Sequence, residues 1–63
     1  MKVMYKKQTE PFMLTNGKIY EVLSVERKYY RITDDTGEDY LYPPESFDIV
    51  DNTNIPPERF PNV

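Results

Sequence analysis

A four-residue turn, Asp34-Asp35-Thr36-Gly37, separates two alternating stretches, residues 29–33 and 38–42, and constrains the fold more than any other part of the chain. Acidic residues suit the opening of a type I turn, and glycine accepts the left-handed conformation that closes a three-residue hairpin loop with a bulge. With Asp35, Thr36 and Gly37 as the loop, the pairs become Asp34 with Glu38, Thr33 with Asp39, Ile32 with Tyr40, Arg31 with Leu41 and Tyr30 with Tyr42. Tyr30, Ile32, Tyr40 and Tyr42 then share one face, and Tyr29, Arg31, Thr33, Asp39 and Leu41 share the other. A slip of one residue would set Ile32 opposite Asp39 and mix polar with apolar on both faces, so pattern and turn chemistry select the same register. The first face is the expected core side, and Tyr29 points outward.

The remaining chain supplies partners for this hairpin. Residues 2–6 alternate, with Val3 and Tyr5 on one side. Residues 7–11 form a polar break, after which Phe12 and Leu14 share a face and Thr15-Asn16-Gly17 turns the chain. Residues 18–25 are rich in β-branched and aromatic side chains, with Tyr20 and Val22 on one face and Ile19, Leu23 and Val25 on the other. Glu26-Arg27-Lys28 is a charged connection into the hairpin. Pro43-Pro44-Glu45-Ser46-Phe47 cannot continue a central strand, because proline has no N–H to donate, but it suits a 3₁₀ turn. Phe47, Ile49 and Val50 form a last short strand. Short strands in quick succession, with no long helix or internal repeat, predict an all-β fold: a small five-stranded barrel over residues 1–51. Residues 52–63 hold three prolines and no apolar period, and are expected to be an irregular tail, loose or lightly docked through Ile55 and Phe60. The expected core is Val3, Tyr5, Phe12, Leu14, Tyr20, Val22, Tyr30, Ile32, Tyr40, Tyr42 and Phe47.

At 63 residues, with neither cysteine nor histidine, the chain has no thiol for a disulfide or zinc site and little volume for an enclosed active site. No stretch has the length of a membrane span, and Met1-Lys2-Val3-Met4-Tyr5-Lys6-Lys7 lacks the apolar core of a signal peptide, which points to the cytoplasm and away from membranes. The net charge of -3 hides an asymmetry: residues 1–31 hold seven Lys/Arg against three Asp/Glu, and residues 32–63 hold one against eight. Interleaving the halves in one barrel would pair these charges weakly; a dipolar surface with a basic side is the sharper alternative.

The order of elements resembles that of SH3 domains. Phe12-Met13-Leu14-Thr15-Asn16-Gly17 resembles the turn before the second strand of that family, and Ile19-Tyr20-Glu21-Val22-Leu23 resembles the strand itself. Tyr29-Tyr30 resembles the paired aromatics, and Tyr42-Pro43-Pro44-Glu45-Ser46-Phe47 the proline-containing 3₁₀ turn. The resemblance spans roughly residues 3–50 and implies an SH3-like barrel whose groove positions match Tyr29, Pro44 and Phe47. The chain has no tryptophan for the wall of that groove and no Ala-Leu-Tyr-Asp-Tyr signature. It is similar also to short uncharacterised proteins of Gram-positive bacteria and their phages that share a Gly-Lys-x-Tyr-Glu-Val-Leu strand and an Asp-Asp-x-Gly hairpin.

Asp34, Asp35, Glu38 and Asp39 crowd the hairpin tip without the spaced acids of a calcium loop, so they read as a solvated turn rather than a metal site. No Ser or Thr sits in a nucleophile motif, and no cofactor-binding pattern is present, so the expected protein is not an enzyme. Lys2, Lys6, Lys7, Lys18, Arg27, Lys28 and Arg31 with Tyr5 and Tyr29 form the basic half that a nucleic-acid binder would use, but a sequence pI of 4.7 disfavours approach to phosphate. The reading that remains is a protein-binding module, monomer or weak homodimer, whose outward face carries Tyr29, Arg31, Leu41, Met4 and Pro44. A nucleic-acid-binding barrel and a structural subunit that pairs through a strand edge are the alternatives.

Overall fold

The computed structural model describes residues 1–59. It is all-β, with β1 (Lys2–Tyr5), β2 (Ile19–Glu26), β3 (Tyr29–Thr33), β4 (Asp39–Tyr42), a 3₁₀ turn (Pro44–Ser46), β5 (Phe47–Asp51) and a two-residue β6 (Glu58–Arg59). The sheet order is β4-β3-β2-β1-β5, all antiparallel, with β6 added in parallel to the end of β2. β4 and β5 do not pair, so the expected barrel is a rolled sheet left open between its end strands.

The hairpin has the derived register: Tyr30 opposes Tyr42, Arg31 opposes Leu41, Ile32 opposes Tyr40 and Thr33 opposes Asp39. Gly37 sits at φ 87 and donates to the Asp34 carbonyl at 3.0 Å, while the Asp34 amide donates to Glu38 at 2.9 Å. The core is organised by Phe47, whose ring lies 5.5 Å from Tyr5, 6.2 Å from Tyr30, and 6.4 Å from both Tyr20 and Tyr42. Val3, Leu14 and Ile32 are fully enclosed beside it, with Met1 and Val22. Such tilted and edge-on aromatic pairs each add about 0.5–1.5 kcal/mol beyond the area they bury. The hydroxyls find partners at the rim: Tyr5 donates to the Gln8 carbonyl at 2.9 Å, Tyr20 to Asp35 at 3.1 Å and Tyr42 to Asp34 at 2.6 Å.

Several expectations need correction. Tyr40 shares a face with Ile32 yet is 47% exposed, because β4 ends the sheet and no strand among the described residues covers its far side; its hydroxyl bonds Glu38 instead. Phe12 is not core but 87% exposed, since the loop closes between Glu10 and Leu14 and turns only Met13 and Leu14 inward. In β5 Phe47 is buried as expected, and Ile49 and Val50, which were not assigned to the core, are exposed. Val25, expected opposite to Tyr20 and Val22, packs against the core with them. A bulge between Val22 and Ser24 inserts one residue, so beyond Leu23 the alternation of β2 is inverted. The inversion also carries Ser24 and Glu26 to the side of Arg31, where both are buried.

The segment after β5 is attached by its backbone. The Asn54 carbonyl accepts from the Met1 nitrogen, the Val25 amide donates to the Pro57 carbonyl at 2.9 Å, and β6 runs beside Val25 and Glu26. Ile55, expected to dock it, is 68% exposed, and Phe60 lies outside the described residues. No helix among the described residues is long and apolar enough to cross a membrane.

Candidate functional site

β2 and β3 are joined by a loop of only two residues: Glu26 pairs with Tyr29, and Arg27 and Lys28 lie between them at φ 50 and 72. Two successive left-handed residues make a type I′ turn, which matches the twist of the flanking strands and is ordinarily supplied by Asn-Gly. Arg and Lys carry a Cβ that this conformation crowds against the backbone, at about 1–2 kcal/mol each. The sequence gives no sign of this turn, since Arg27-Lys28 contains none of its usual residues.

The strained turn forms one rim of a cleft of about 370 Å³, lined by Arg27, Lys28, Tyr29, Pro43, Pro44 and Glu45. Tyr29, 48% exposed, and the Pro43 and Pro44 rings supply its apolar walls, and the 3₁₀ turn that follows β4 supplies the far rim. Proline at the first position of that turn fixes its backbone without loss of a hydrogen bond. The walls are thereby held by two backbone devices, a type I′ turn and a proline turn. Arg27, Lys28 and Glu45 contribute the charged groups of its lining.

Of the expected site residues, the structure brings Tyr29 and Pro44 together in this cleft. Leu41 lies on the Tyr29 face of the sheet, opposite Arg31 and exposed. Arg31 is committed to structure: its Nε lies 2.5 Å from Glu26, its Nη2 donates to the same carboxylate at 3.0 Å, and its Nη1 to Asp39 at 3.0 Å. The hydrogen bonds to Glu26 and then Asp39 raise the affinity of this guanidinium for its proton above the ordinary value. Met4 is elsewhere, on β1 between Ile19 and Asp48, whereas Tyr29 is at the opposite end of β2. Arg27 and Lys28, expected only as part of a basic face, and Pro43 and Glu45, not expected at a site, also line the cleft, a placement that becomes visible once the turn geometry is known.

At the other end of β3 the acidic tip is internally satisfied. Asp34 accepts from the Thr36 amide at 2.9 Å, from the Thr36 hydroxyl and from Tyr42. Asp35 accepts from Lys18 at 2.6 Å, Thr15 at 2.7 Å and Tyr20. Burial pushes the Asp34 carboxyl up, but the bonds from Thr36 and Tyr42 outweigh it and hold the group below the usual carboxylate range; Asp35 is lowered chiefly by Lys18 and Thr15. Burial first, and then Asp34, pushes the Tyr42 hydroxyl well up.

Compared with models of known protein families, with curated proteins and with solved structures, the chain matches none.

Proposed function

We propose that the protein is a non-catalytic binding module that receives a protein partner in the cleft between Tyr29 and the Pro43-Pro44 turn. The observation that carries this reading is the Arg27-Lys28 turn: two bulky cations occupy a conformation that Asn-Gly would adopt without strain, at the rim of an aromatic and proline-walled cleft. Backbone strain of this kind persists where a surface is used. The cleft also lies between the paired-aromatic position and the proline turn, where the SH3 resemblance puts a ligand groove, and the order of strands, turn and hairpin supports an SH3-like reading of the fold. The role we infer is that of an accessory factor of a bacterium or phage, acting in the cytoplasm by reversible contact.

The test is retention of a partner from a Gram-positive lysate by the wild type and by Tyr29→Ala, both first checked for folding by circular dichroism. A central tyrosine anchor contributes about 2 kcal/mol, roughly a thirtyfold change in affinity, so the expected result is a protein retained by the wild type alone and insensitive to nuclease. Equal retention by both proteins, or retention abolished by nuclease, overturns the reading.

A further inference from the structure

Phe12 has the opposite character to the cleft: it projects. The Met13 amide donates to the Glu10 carbonyl at 3.0 Å, with Pro11 at the second position of the turn and Phe12 at the third, at φ 69. This is the arrangement of a type II turn, whose third position ordinarily takes glycine. A phenyl side chain in the left-handed region is an outlier that the surroundings must enforce, and here they do. Glu10 and Leu14 exchange backbone bonds at 2.8 and 3.0 Å, Asn16 bonds Thr9 and Lys7, and the Asp35 amide donates to the Met13 carbonyl at 2.8 Å. The loop is thus braced on both sides, and what it displays is an 87% exposed aromatic ring beside a proline and two residues from the carboxylate of Glu10.

We propose that the Phe12 turn of a second copy of this chain occupies the Tyr29 cleft, so that copies associate head to tail. The inference rests on reading that cleft as a protein-binding site and names its occupant. The chemistry is complementary: a phenyl and a proline ring meet walls of Tyr29, Pro43 and Pro44, and Glu10 meets Arg27 and Lys28. Size is compatible too, because a cavity of roughly 150 Å³ holds benzene and the cleft offers about 370 Å³. A single chain cannot satisfy itself. The Met13–Asp35 bond fixes the Phe12 loop at the hairpin end of β3, and the cleft begins at Tyr29, six residues and about 20 Å away along the strand. Contact between two different patches is heterologous, and repeats from copy to copy.

Dilution of the ¹⁵N-labelled full chain from about 1 mM to about 20 µM, followed by amide shifts, tests the proposal in the range where a contact this small would dissociate. Concentration-dependent shifts are expected in two places, residues 10–14 and residues 27–29 with 43–45. Phe12→Ala and Tyr29→Ala should each abolish them; Phe12 is almost fully exposed and Tyr29 half-exposed, and neither belongs to the core, so both variants should keep the dispersed spectrum of the folded chain. An equimolar mixture of the two variants should restore shifts, at the cleft of the Phe12→Ala protein and at the loop of the Tyr29→Ala protein only. A wild type whose spectrum does not change with concentration, or association that survives either substitution, overturns it. If the wild type stays monomeric but still retains a lysate protein through Tyr29, self-recognition fails and the binding-module reading stands. If copies associate and no lysate protein is retained, the cleft serves this chain alone.

Discussion

The two ends of β3 are built under opposite rules. At the hairpin end, each residue sits where its chemistry is comfortable: Asp34 caps the turn, Gly37 takes the left-handed position at φ 87, and Asp34 and Asp35 are surrounded by donors. At the cleft end, Arg27 and Lys28 hold the left-handed positions in place of Asn-Gly, and their side chains rim the cleft beside an exposed tyrosine. Local agreement with the fold is what a purely structural turn should show, and departures from it mark surfaces kept for another reason. The contrast separates a turn whose residues all favour its conformation from one whose residues do not, at opposite ends of the same strand.

The largest effect should come from removing the keystone of the comfortable end. Asp34→Ala takes away the acceptor of the Thr36 amide, the Thr36 hydroxyl and the Tyr42 hydroxyl, and leaves donors unpaired at a buried site. Such losses cost about 3 kcal/mol, enough to lower the thermal midpoint of a chain this short by more than about 10 °C. The same carboxylate sets the acid sensitivity. Asp34 and Asp35 are both lowered in the folded state, so just below the usual carboxylate value the unfolded chain binds more protons than the folded one. Their stabilisation is complete above about pH 4 and is lost as pH falls through the lower folded values. Urea midpoints measured from neutral to strongly acid pH should fall for the wild type and fall less for Asp34→Asn. A wild-type midpoint that is flat in acid would remove the network from the account.

Gly37→Ala should have the next largest effect. A Cβ added there meets nothing within 4 Å, so the cost is conformational alone, about 1–2 kcal/mol. Gly37→Asn, which tolerates the left-handed region, should lose less, and equal losses in the two variants would point to a clash rather than to φ.

How much of this was readable in advance follows the same division. The register of residues 29–42 was legible because the turn residues and the hydrophobic alternation each specify it, and Leu14, Tyr20, Val22 and Phe47 were legible as core from period alone. Val25 was not, because a bulge inverts the period without any glycine to announce it. Phe12 and Tyr40 were assigned inward because they alternate onto the faces of Leu14 and Ile32, an inference that fails at an open sheet edge and at a turn whose third position is forced left-handed. The tail read as loose or lightly docked, but the route by which residues 54–59 attach was invisible for a different reason: it runs through backbone groups, which every sequence possesses. Of the candidate site, Tyr29 and Pro44 were legible as an outward aromatic and a proline turn; Arg27 and Lys28 read as an ordinary charged connection because the sequence breaks the rule that would have revealed the turn.

That broken rule supplies the smallest effect and the most discriminating one. Lys28 lies at φ 72, so Lys28→Gly relieves the crowding of its Cβ, while the greater freedom of glycine in the unfolded chain takes back part of the gain. The net change should be a stabilisation of about 0.5 kcal/mol, read as a higher urea midpoint with an unchanged slope. The sign is opposite to that at Gly37, although both substitutions act on a left-handed turn position at an end of the same strand, β3. Binding should move the other way, since the variant also removes one of the two cations at the rim and should weaken whatever occupies the cleft. Stability gained together with affinity lost is what strain retained for a surface produces. If Lys28→Gly instead lowers the urea midpoint, the lysine contributes more to the folded chain than its backbone conformation costs, and the two ends of β3 are not built under different rules after all.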